Sequence, residues 1–207
     1  MQLTKSSLKS TLSSILSHLS YPSYDVGLQF VAPRTIRTMN KKYRSTDSET
    51  DVLSFPFYDS VSDVPADVAA SAASSAEDFP LIRPSNERLI MTPGVLPPLP
   101  SDSSLGSVED QMNVGDMFIC LNVVSSRMKE DESLSALLST ADSSLHVGGH
   151  GVSARMAGLQ SLPARTHLLL VHSVLHLVGY DHVTDEDEKV MTAKEEEVIR
   201  AIWIDKV

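Results

Sequence analysis

The sequence predicts a single α+β (mixed α/β) domain spanning 1–207: a small mixed β-sheet packed against helices, one of them central and buried, with long irregular insertions. Three observations lead there. Short alternating segments interleave with helical ones; the stretch from Pro163 to Val178 is apolar on almost every side; and two stretches, about 59–110 and 140–162, differ from the rest in composition. A chain of 207 residues is about one domain's worth and can bury a real core.

The elements follow in order. Leu8, Leu12, Ile15 and Leu19 recur at spacings of four and three, the signature of an amphipathic helix. The first 24 residues carry many serines and no acid, as a targeting segment would, but they also lack arginine, and a native helix is the favoured reading. Asp25 to Ala32 alternates, with Val26, Leu28 and Phe30 expected inward on a strand. Pro33 opens a helix to about Arg44, with Ile36, Met39 and Tyr43 on a buried stripe and Arg34, Arg37, Lys41 and Arg44 on a basic one. Val52 to Phe57 is a short strand whose Pro56 suggests an edge or an end.

Seven of the eleven prolines fall between 59 and 110, among serine, alanine and acids; this reads as an insertion, in which only Arg88 to Met91 resembles a strand. Val114 to Val124 is nearly all apolar and reads as a buried strand, followed by a helix to about Leu138. Residues 140–162, with four glycines, read as a loop insertion. The apolar helix beginning near Pro163 is central, and Asp185 with Glu188 is expected to cap a last helix running to about Trp203, with Val190, Met191, Val198, Ile202 and Trp203 buried.

A net charge of −10 argues against a general nucleic-acid coating protein while leaving local basic patches open. The single Cys120 excludes an intrachain disulfide and a cysteine metal cluster, and suits a reducing compartment. No apolar run approaches the length of a membrane span, so no membrane partner is expected.

The chemistry concentrates in residues 172–182, HSVLHLVGYDH, which hold three of the seven histidines. His172 and His176 are four apart and share a helix face. Gly179 stands where the apolar pattern stops, ready to end the helix and swing His182 toward the same ion. Three imidazoles with a fourth position for solvent are the donor set of a catalytic zinc site. A lone histidine in such a helix is usually a hydrogen-bonded core residue, which is the reading for His18, His146, His150 and His167. The spacing also equals that of the metzincin proteases, but their general-base glutamate is replaced by Ser173, whose hydroxyl cannot take a proton near neutral pH.

The stretch HSVLHLVGYDH resembles the H-G-x-L-H-L-x-G-Y-D-H signature of the YbeY family of metal-dependent endoribonucleases. A second block, MNKKYRSTDSETDVLSFP from Met39 to Pro56, is similar to that family's L-N-x-x-Y-R-x-x-D-x-P-T-D-V-L-S-F-P, and Gly115 to Ile119 is similar to its G-D-I-x-I strand. Ser173 departs from the family's glycine and Glu49 from its proline. The resemblance implies that His172, His176 and His182 bind one divalent ion, Zn2+, and that Arg44 and His172 form the catalytic pair. Arg44 suits this role because guanidinium offers a charged planar fork to a phosphate.

Asp181, beside a ligand, is a candidate to orient a histidine from the second shell. Arg34, Arg37 and Lys41 are candidates for an RNA-backbone track. The implied function is endoribonucleolytic cleavage of single-stranded RNA, a ribosomal RNA precursor, in rRNA maturation and ribosome quality control, with the small ribosomal subunit as a possible partner. The alternative is a non-catalytic ribosome-assembly or RNA-binding protein with a structural metal, and a metzincin-like metalloprotease ranks behind both. The insertions hint at a eukaryotic source, for which the resemblance implies an organelle with its own ribosomes; otherwise the cytoplasm is expected.

Overall fold

A computed structural model describes residues 2–57, 94, 96, 112–138, 152, 155–156 and 158–203. Among these the chain runs α1 (Lys5–His18), β1 (Asp25–Phe30), α2 (Pro33–Arg44), β2 (Val52–Pro56), β3 (Asn113–Ile119), α3 (Leu121–Leu138), α4 (Leu162–Leu177) and α5 (Asp185–Trp203). The sheet order is β1-β3-β2, with β1 parallel and β2 antiparallel to β3, so the sheet is mixed as expected. The expected fold class, α+β, holds.

Period-2 alternation along β3 divides the core into two layers. Met117 and Ile119, with Val52 of β2, face the layer of α1, α4 and α5, and Leu168 to Val171 of α4 lie buried there. Phe118 and Leu53 face the other way, onto Ile36 and Met39 of α2. Tyr43 and Phe55 extend that second layer with an edge-to-face contact, ring centroids 5.2 Å apart. The amphipathic reading of the N-terminal segment is realised, since Leu8, Leu12, Ile15 and Leu16 of α1 belong to the larger layer.

Several expectations need correction. The apolar run from Val114 is not one strand: β3 stops at Ile119, and the Cys120 carbonyl accepts from the Val123 and Val124 N–H groups to start α3. A continuous apolar run looks the same whether it is a buried strand or a buried helix turn, so its pattern could not place this break. Phe30 is 43 % exposed at the end of edge strand β1, although Val26 and Leu28 do pack toward the core. Val190 is exposed, and Ile199 takes its place in the buried stripe of α5 with Met191 and Val198. The cap of α5 is a reciprocal pair one step earlier than expected: Thr184 Oγ1 accepts from the Asp187 N–H while the Thr184 N–H donates to the Asp187 carboxylate. The second insertion is not loop throughout, since Val152 and Met156 are helical and Val152 is buried in the core. The expected strand Arg88 to Met91, His146, His150 and the Trp203 side chain lie outside the described residues.

Candidate metal centre

The centre is built at the C-terminal end of α4. Ser161 caps its start by accepting from the Ala164 N–H, and Pro163 occupies a first-turn position where its missing N–H costs nothing. Burial on all sides fixes the helix, with Leu168 to Val171, Val174, Leu175 and Leu177 almost inaccessible. The helix ends in a Schellman motif. Gly179 adopts φ +92°, its N–H donates to the His176 carbonyl, and the Tyr180 N–H reaches back to the Leu175 carbonyl. That reversal carries the chain round to His182, as the position of Gly179 predicts.

The three imidazoles meet. Ligand-capable atoms of His172, His176 and His182 lie within 4.8 Å of one another, and the ring centroids are 4.6, 5.5 and 5.0 Å apart. His172 and His176 are partly buried while His182 is exposed, so the cluster has a floor in the core and a mouth on solvent.

Hydrogen bonding assigns the ring nitrogens. His172 Nδ1 lies 2.7 Å from Glu195 Oε1, and His176 Nδ1 lies 3.0 Å from the Tyr180 carbonyl oxygen. A backbone carbonyl can only accept, and so can an ionised carboxylate, so both Nδ1 atoms carry the proton and donate. Both Nε2 atoms are then lone pairs, and they stand only 3.2 Å apart. Two lone pairs at that distance repel unless a metal ion, or a second proton on one of the rings, lies between them. Two nitrogens on one tetrahedral zinc, each at roughly 2.0–2.1 Å, are separated by roughly 3.3 Å. The donor set and its spacing therefore fit a divalent metal.

The electrostatics favour a neutral His176. Burial first, then the neighbouring His172 and His182, lower the pKa of His176 from its ordinary value to about 3, against opposing contributions from Asp181 and the Tyr180 carbonyl. His176 is thus neutral, the form that ligates metal, throughout the physiological range.

The remaining candidates have the following surroundings. Asp181 accepts the His182 backbone N–H at 2.7 Å. Arg44 is exposed at the end of α2, and no ion pair engages its guanidinium among the described residues. The nearby carboxylates are taken by other partners: Asp47 by Arg37 and Lys41 at 2.8 and 2.9 Å, and Asp51 by Arg127. Arg34, Arg37 and Lys41 are all exposed along α2. Ser173 is fully buried, so its hydroxyl does not face the cluster's mouth. His18 bonds Glu197, and His167 bonds Thr11, as ordinary structural histidines do.

Sequence reasoning missed Glu195, the partner of His172. It lies 23 residues downstream in a run of three glutamates, and only the packing of α5 against α4 distinguishes it from its neighbours.

Comparison with known proteins adds an independent line. A family profile described as endoribonuclease YbeY matches residues 1–153 and 152–202. Similar curated proteins carry the same description. One from Caldicellulosiruptor saccharolyticus is 25% identical over 195 residues, covering 94% of this chain and 84% of its own length. Another from Lachnospira eligens is 29% identical over 183 residues, covering 87% of this chain and 76% of its own. A third from Finegoldia magna is 26% identical over 206 residues, covering 99% and 86% respectively.

Proposed function

The chain belongs to the endoribonuclease YbeY family, and from that premise we propose that it is a zinc-dependent hydrolase that cuts single-stranded RNA in ribosomal RNA maturation and ribosome quality control. The observation that carries the metal-dependent part is the meeting of three imidazoles, with His172 and His176 Nε2 3.2 Å apart and both Nδ1 atoms engaged elsewhere. The three rings form a preformed claw for one ion.

In this reading His172, His176 and His182 hold the ion, His172 and Arg44 are the catalytic residues, and Asp181 biases the His182 side of the claw through the backbone bond it accepts. A zinc ion here supplies Lewis-acid charge for a phosphoryl oxygen and an activated water at neutral pH. Arg44 binds a phosphate oxygen through its planar fork, and two engaged neighbours, Asp47 and Asp51, leave it available to do so. Arg34, Arg37 and Lys41 extend the positive charge along α2, where an RNA backbone can lie. Cleavage breaks one P–O bond, and the leaving oxygen takes a proton. The attacking oxygen is that of water or of the ribose 2′-hydroxyl, and the product ends distinguish them: a 2′,3′-cyclic phosphate marks the second.

The test uses purified protein with single-stranded ribosomal RNA precursor fragments, the variants His176→Ala and Arg44→Ala, and a chelator. Cleavage by the wild type alone, lost with chelator and restored by zinc, supports the reading. RNA binding with no products in any sample would instead make the protein a non-catalytic assembly factor whose metal is structural.

A further inference from the structure

The glutamates 195–197 lie on successive faces of α5 and have separate partners. Glu196 pairs with Arg155, and Glu197 with His18 and Lys194, all toward solvent. Glu195 points inward and is only 5 % exposed. Its Oε1 accepts from His172 Nδ1 at 2.7 Å, and its Oε2 accepts from the Val152 backbone N–H at 2.8 Å. Val152 is itself 1 % exposed. A carboxylate is needed there, because both partners donate and an isosteric amide keeps only one accepting oxygen.

We propose that Glu195 is a positioning residue of the metal centre. It holds the His172 ring in the tautomer and orientation that aim Nε2 at the ion, and its second oxygen ties Val152 to the same carboxylate. The Val152 N–H, engaged by the second oxygen, fixes the carboxylate that aims the histidine. This inference rests on the proposed reading that the three histidines hold an ion.

The experiment measures zinc affinity by competition with a chromophoric chelator at pH 7.5, on the full chain, for wild type, Glu195→Gln and Glu196→Gln. Thermal unfolding of the chelated proteins is followed in parallel. Loss of an outer-shell partner typically weakens a metal site about 10–100-fold, so Glu195→Gln is expected to bind zinc in that range below wild type while Glu196→Gln matches wild type. A Glu195→Gln protein with lower apo stability and unchanged zinc affinity would make the residue merely structural and overturn the inference. Should the variant fail to fold, nitrogen-15 NMR of the zinc-loaded wild type decides: a slowly exchanging His172 Nδ1–H supports the assignment, and His172 bound to zinc through Nδ1 overturns it. A wild type that binds no zinc removes the proposed function as well, whereas equal affinity in wild type and Glu195→Gln removes this inference alone.

Discussion

Ser173 offers a sharp test of how tightly the metal helix is built. It sits between His172 and Val174, is completely buried, and its Oγ has no hydrogen-bond partner among the described residues. A buried polar group left unsatisfied costs about 1–3 kcal/mol. Replacing Ser173 by Ala removes that cost and adds a few tenths of a kcal/mol of helix propensity. The oxygen's lost contacts offset about the same few tenths, since each pair of non-bonded atoms contributes only about 0.1–0.2 kcal/mol. The net expectation is stabilisation by about 1–2 kcal/mol, or a rise in Tm of about 2–8 °C at this chain length. Ser173→Gly removes the same hydroxyl but places glycine inside a helix, at a cost of about 1 kcal/mol relative to alanine. It should therefore lie near wild type. The assay is calorimetry on chelated protein, because bound metal would add its own linked stability. A lower Tm for Ser173→Ala would mean that the hydroxyl has a partner in solution, and the reasoning from its burial would fall.

Three further outcomes are expected. In the chelated protein, His176 has a folded pKa of about 3 against an ordinary 6.5. The unfolded chain then binds the extra proton between those values, and stability falls as pH drops through that window, by about 1.4 kcal/mol per unit. Urea titrations at pH 6.5 and 5 should show wild type losing about 2 kcal/mol more than His176→Gln, and equal losses would refute the burial of a neutral imidazole.

Gly115→Ala should be severely destabilising. At φ +133° its Cβ would stand 2.2 Å from the Phe55 carbonyl oxygen and 2.9 Å from both the Phe57 nitrogen and Leu177 Cδ2. A loss of at least about 3 kcal/mol is expected in urea, and a variant within 1 kcal/mol of wild type, about the size of a typical mutational effect, would contradict this packing. Asp47→Asn frees Arg37 and Lys41 at an exposed site, so thermal stability should stay at the wild-type value. If α2 carries the RNA track, binding should tighten and its salt dependence steepen; unchanged binding would remove these two residues from the interface.

What could be read from the sequence divides along a physical line. His172, His176 and Gly179 act over one helical turn and one reversal, and local geometry alone predicts where they go. The two faces of the sheet were equally local, because Leu53 and Phe118 fall on the opposite parity from Val52, Met117 and Ile119. The break after Ile119 was not legible, because hydrophobic runs carry no period once an element is buried on both sides. Glu195 was not legible for a different reason. Nothing in the run Glu195-Glu196-Glu197 sets the first apart until α5 is laid on α4, and that packing is decided by Met191, Val198 and Ile199. The partner of His172 is thus selected by the apolar stripe of its helix: with Met191 and Val198 inward, position 195 also points inward, and a buried carboxylate there is tolerable only with both oxygens satisfied. His172 and Val152 satisfy them. The hydrophobic pattern of the last helix therefore sets the surroundings of His172, so that a cluster whose three histidines lie within eleven residues is completed by a side chain from α5.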